Sequence, residues 1–129
     1  IKGLEGSCDL ARDRSAIIGL GSTVSQTASI ERLIMAPRDY NFTTQDVPLT
    51  STEELIIDIK ATLIGSNCEL MQSTLWNGGF YLWRSGICED IQAGIAKTEE
   101  LLSNGTVLKK LEEVSRAITT VCQNMFQPA

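Results

Sequence analysis

The chain has 129 residues and a net charge of −5, from sixteen acidic and eleven basic side chains. That length supports one domain with a sizeable core, and no block of Lys and Arg marks a nucleic-acid footprint. Hydrophobic residues make up 43% and charged residues 21%, proportions that exclude wholesale disorder. There is no histidine, which removes Ser-His-Asp and Cys-His nucleophiles, an imidazole general base and any histidine-bearing zinc site. The composition therefore predicts a protein that is not an enzyme and holds no cofactor or metal.

In chain order, Leu10, Ile17, Val24, Ile30 and Ile34 thread onto a first helix over 8–35, bent near Gly19–Thr23 because glycine costs about 1 kcal/mol against alanine in a helix. The same stretch, Ala16-Ile17-Ile18-Gly19-Leu20-Gly21-Ser22-Thr23, superficially matches a strand entering a phosphate loop. Valine at 24 replaces the third glycine, no Gly-Lys-Ser/Thr follows and no βαβ pattern continues, so the bent helix is preferred. The longest uncharged stretch, residues 15–30, is too short and too rich in hydroxyls and glycine to span a bilayer.

Residues 36–50 hold Pro37, Asp39, Asn41, Asp46 and Pro48, the chemistry of a linker. Thr50/Glu53 or Ser51/Glu54 then supplies a capping box, opening a second helix over 51–75 along Ile56, Ile59, Leu63 and Leu70. Asn77-Gly78-Gly79 reads as the breaker. A third helix follows over 79–102 on Phe80, Trp83, Ile87, Ile91, Ile95 and Leu102, and stops at Ser103-Asn104-Gly105. The fourth, over 106–126, runs along Val107, Leu108, Leu111, Val114, Ile118, Val121, Cys122 and Phe126, with Lys109, Glu112, Glu113 and Arg116 mostly on the other face. The predicted fold is all-α, one four-helix bundle over residues 1–129.

Cys8, Cys68, Cys88 and Cys122 are even in number and lack Cys-x-x-Cys spacing, so a disulfide framework is preferred to a metal or redox site. Cys68 and Cys88 lie ten residues either side of Gly78 and would face each other on antiparallel neighbours. Cys8 would then pair with Cys122, at the same pole of an up-and-down bundle. Two sequons, at Asn41 and Asn104, add to the case for secretion and glycosylation. The start at Ile1 fits a processed chain.

Acidic pairs such as Glu53-Glu54 and Glu112-Glu113 suit a solvated helix face better than a glycosidase site. Trp76, Phe80, Tyr81 and Trp83 concentrate four aromatics in eight residues. Phe80 and Trp83 fit a core cluster, which leaves Trp76 and Tyr81 as the interface candidates.

Ile87-Cys88-Glu89-Asp90-Ile91-Gln92-Ala93-Gly94-Ile95, followed by Asn104-Gly105-Thr106-Val107, is similar to a helix and its successor in short-chain helical cytokines of the interleukin-5 group. In that family the matching stretch forms the second and third helices; here it falls on the third and fourth. Gly86-Ile87-Cys88-Glu89-Asp90 also resembles the neighbourhood of one cysteine in plant pectin methylesterase and invertase inhibitors. The cytokine resemblance implies a secreted ligand of a cell-surface receptor. The alternatives are a carrier of a lipid or other apolar small molecule, a pathogen surface-glycoprotein fragment, and an inhibitor of a secreted enzyme.

Overall fold

The computed structural model describes residues 9–21, 30–48 and 50–125. Its elements in order are β1 (Ala16–Gly21), β2 (Ile30–Met35), a 3₁₀ turn (Pro37–Tyr40), α1 (Thr52–Leu63), α2 (Glu69–Arg84), α3 (Ile91–Ser103) and α4 (Thr106–Met125). The described residues are mostly helical and hold four helices, as the sequence predicts; the last matches the expected fourth helix, while the other three differ from expectation in place or extent.

Where a first helix is expected over 8–35, β1 and β2 form an antiparallel pair with Ala16 opposite Met35, Ile17 opposite Ile34 and Ile18 opposite Leu33. The controlling period is two. Ala16, Ile18 and Met35 are buried and Leu33 packs against the core, while Ile17 and Ile34 face outward together. β-branched Ile17 and Ile18 favour a pleated surface, and Gly19 weakens the helical alternative. Antiparallel pairing of strands separated only by residues 22–29 also leaves no room for a βαβ crossover helix. The predicted bend at Gly19–Thr23 falls on a strand at its start, and residues 22 and 23 lie outside the described residues.

α1 begins where the capping box predicts: the Ser51 hydroxyl accepts from the Glu54 N–H at 3.2 Å. It ends at Leu63, not at 75, because Gly65 takes a left-handed φ of 73° and the Ser66 N–H turns back to the Ala61 carbonyl. The Cys68 thiol then caps α2, accepting from the Met71 N–H at 3.4 Å. Asn77, Gly78 and Gly79, expected as a turn, lie inside α2. The real turn is Ser85–Asp90, with Gly86 at φ 78° and the Asp90 carboxylate accepting from the Ala93 N–H.

The glycines serve packing. A Cβ on Gly79 would stand 2.5 Å from Ile95 Cγ1, one on Gly78 would stand 2.6 Å from Thr98 Cγ2, and one on Gly94 would overlap the Gly79 carbonyl oxygen. α2 and α3 therefore cross at backbone-to-backbone range, nearer than ordinary side chains permit. Around this crossing the core collects Met71, Leu75, Trp76 and Phe80 from α2, Ile91 and Leu102 from α3, Ala16, Ile18 and Met35 from the hairpin, and Leu10 and Phe42 from its flanks.

Candidate functional site: a buried arginine between hairpin and helix

Glu69, Ser73 and Asn77 are four residues apart on α2 and make one polar row on its surface. The segment leading into β1 lies along that row. The Leu10 N–H donates to Asn77 Oδ1 at 2.6 Å, and Asn77 Nδ2 donates back to the Leu10 carbonyl at 3.2 Å and to the Ser73 carbonyl at 3.0 Å. Arg12, 1% exposed, donates from Nε to Ser73 Oγ at 2.8 Å, from Nη1 to Thr43 Oγ1 at 3.2 Å and from Nη2 to Glu69 Oε2 at 2.5 Å.

A buried guanidinium is tolerable only when paired and hydrogen-bonded. Here all three nitrogens have oxygen partners and Glu69 balances the charge. The arrangement holds the hairpin's leading segment and the 36–48 segment to one face of α2. With its charge answered by Glu69 and its fork occupied, Arg12 is a tie within the fold and not a free anion-binding group. Beside it, at the surface, the Arg14 guanidinium donates to the Asp13 carboxylate and holds that carboxyl below its ordinary range. Among the described residues, no group of three or more Cys, Asp and Glu side chains is placed to hold a metal ion. No helix among them is long and apolar enough to cross a membrane.

Neither composition nor motif singles out Arg12, Glu69, Ser73 or Asn77; the one local signal is the Glu-x-x-x-Ser-x-x-x-Asn spacing on a helix. The structure also corrects several expected sites. Cys68 and Cys88 are free thiols. With the turn moved off Gly78 they sit at opposite ends of α2, a helix of sixteen residues and about 24 Å, far beyond bonding distance. Cys122 is a free, exposed thiol, and its expected partner Cys8 lies outside the described residues. The bundle is therefore not stapled by a Cys68–Cys88 bridge.

Trp76, an expected interface residue, is 0% exposed and stacks at a tilt against Tyr40 and Phe42. Tyr81 does lie at the surface, edge-on to Phe80. Phe80 is in the core and Trp83 packs against it. The sequon asparagines are both exposed: Asn41 has a left-handed φ of 64° at the end of the 3₁₀ turn, and Asn104 follows α3, its Oδ1 accepting from the Thr106 N–H.

No family model matches the chain. Over 81 residues, 62% of its length, it is 32% identical to an anthranilate phosphoribosyltransferase of Methanococcus aeolicus. The matched region is 25% of that enzyme, so the chain spans about a quarter of the relative it resembles. This similarity corrects the expectation that the chain is not an enzyme: its relative is one, and the missing histidine is no ground for setting the chain apart from enzymes.

Proposed function

We propose that this chain is a helical module of an enzyme that transfers a phosphoribosyl group. The observation that carries the reading is the 81-residue similarity to an anthranilate phosphoribosyltransferase. The geometry suits such a part. The α2–α3 crossing and the Arg12 tie make a rigid body, while Ile17 and Ile34 on the hairpin and Ile56, Ile57, Ile59 and Ile64 around α1 leave apolar surface exposed, as on a piece that packs into something larger. In this reading the module supports the site, and groups that bind the anionic phosphoribosyl donor come from elsewhere in the enzyme, since Arg12 is already neutralised by Glu69.

A receptor-ligand role leans on a disulfide framework, and Cys68, Cys88 and Cys122 are free thiols. The test is an exchange: the matched segment of the Methanococcus aeolicus enzyme is replaced by that of this chain, and transfer of a phosphoribosyl group to anthranilate is assayed. A soluble, active chimaera supports the reading. A folded chimaera without activity, alongside an active parent, counts against it.

A further inference from the structure

Asparagine is followed by glycine twice in the chain, at Asn77-Gly78 and at Asn104-Gly105. In such a pair the glycine nitrogen can close on the side-chain carbonyl of the asparagine, because no Cβ on the glycine obstructs the five-membered ring. The fold treats the two pairs in opposite ways.

Asn77 and Gly78 lie inside α2, where the Gly78 N–H belongs to the helical ladder. Both ends of the Asn77 amide are engaged: Oδ1 accepts from the Leu10 N–H, and Nδ2 donates to the Leu10 and Ser73 carbonyls. A Cβ on Gly78 would strike Thr98, so α3 leaves the main chain no room to swing. Asn104 and Gly105 instead make the turn between α3 and α4. Asn104 is exposed, and nothing stands within 4 Å of the Cβ position of Gly105. The Gly105 N–H is held by one bond, 3.1 Å to the Leu102 carbonyl at the end of α3. From Lys109 to Gln123 every side chain of α4 except Glu113 is exposed, so opening this turn disturbs little packing. The Thr106 N–H donates to Asn104 Oδ1 at 2.9 Å, the oxygen that turns negative when a nitrogen adds to Cγ.

We propose that Asn104 is a site of spontaneous covalent modification, at which the side-chain amide is lost through a cyclic imide with Gly105. Asn104 turns about its ψ, 2° in the resting turn, and the Gly105 nitrogen bonds to Asn104 Cγ. The Cγ–Nδ2 bond breaks, and ammonia leaves with the proton given up by the Gly105 nitrogen. Water then opens the ring. Addition at Cγ gives aspartate; addition at the main-chain carbonyl gives isoaspartate, which carries the chain through the side-chain methylene. Either product makes the chain one unit more negative than −5. Isoaspartate also lengthens the link between Leu102, in the core, and Val107, packed against it. The inference goes beyond phosphoribosyl transfer and does not rest on it.

The test is to hold the folded full chain at mildly alkaline pH in heavy-oxygen water, then digest it and follow both Asn-Gly peptides by mass spectrometry. The Asn104 peptide is expected to pass from amide to acid with one heavy oxygen, as separate aspartyl and isoaspartyl species. The Asn77 peptide is expected to convert at least about a hundredfold more slowly, since it waits on opening of α2. In urea the two are expected to convert at similar rates. Asn104→Gln, which would need a larger ring, is expected to abolish the early charge variant on ion exchange while leaving thermal unfolding unchanged. An Asn104 peptide that stays amidated in the folded chain and converts in urea overturns the proposal. So does Asn77 converting as fast as Asn104 in the folded chain. Aspartate formed without isoaspartate overturns the cyclic route.

Discussion

The carbonyl oxygen of Gly79 in α2 lies against the α-carbon of Gly94 in α3, so that a side chain on Gly94 would have to occupy the same space. Gly94→Ala therefore forces two backbones apart. Overpacking against main chain costs about 3 kcal/mol, which outweighs the roughly 1 kcal/mol that alanine gains in helix propensity. Urea unfolding is expected to show a net loss of about 2 kcal/mol. Gly86→Ala, where nothing stands within 4 Å but φ is 78°, is expected to lose only about 1 kcal/mol, from the left-handed conformation.

Arg12→Met removes three hydrogen bonds and leaves Ser73, Thr43 and Glu69 without their shared donor. Glu69 is 38% exposed and rehydrates, so the expected loss is about 2–3 kcal/mol, below that for a fully buried pair. Arg12→Lys is expected to recover little, because an ammonium cannot reach three diverging acceptors as the planar fork does. A double-mutant cycle between Arg12→Met and Ser73→Ala measures the coupling directly, expected near 1 kcal/mol.

Cys68 acts as a helix cap and not as half of a disulfide. Cys68→Ser is expected to be near neutral, and Cys68→Ala to cost about 1 kcal/mol, the usual value of a lost N-cap. Alkylation of the folded chain is expected to label Cys122 before Cys68 and Cys88, since it is the exposed one of these three thiols. Recovery of a Cys68–Cys88 peptide from the native protein contradicts a helix α2 that runs unbroken from Glu69 to Arg84.

Trp76→Ala empties the middle of the aromatic cluster formed with Tyr40 and Phe42 and is expected to cost about 3–5 kcal/mol. Tyr81→Ala, on the same helix but 39% exposed, is expected to cost less than about 1 kcal/mol. Thermal denaturation of the two variants checks the assignment of Trp76 to the core.

The C-terminal half is legible in the sequence because its signals are local. Ser51 caps α1 as its spacing with Glu54 indicates, α3 stops at Asn104 and Gly105, and α4 covers 106–125 against an expected 106–126. The features that escape a local reading depend on distant partners. Gly78 and Gly79 break an isolated helix but permit this one to touch α3 at Gly94; that role needs the partner helix to be visible. Ile17 and Ile34 fit a helical stripe until their direct cross-strand pairing is known. Moving the turn from Gly78 to Ser85–Asp90 undoes the Cys68–Cys88 pairing and carries Trp76 inward. The Arg12 tie spans from residue 12 to residues 43, 69 and 73, a separation over which no spacing rule operates.

The proposed part in phosphoribosyl transfer is tested most directly by steady-state rates of the segment-exchange chimaera, measured with and without Gly94→Ala. Transfer to anthranilate is expected within about tenfold of the parent enzyme, a difference of about 1.4 kcal/mol in the barrier, with a further loss of thermal stability when Gly94 is replaced. A chimaera that folds cooperatively and transfers no phosphoribosyl group, while the parent enzyme is active under the same conditions, contradicts that proposal.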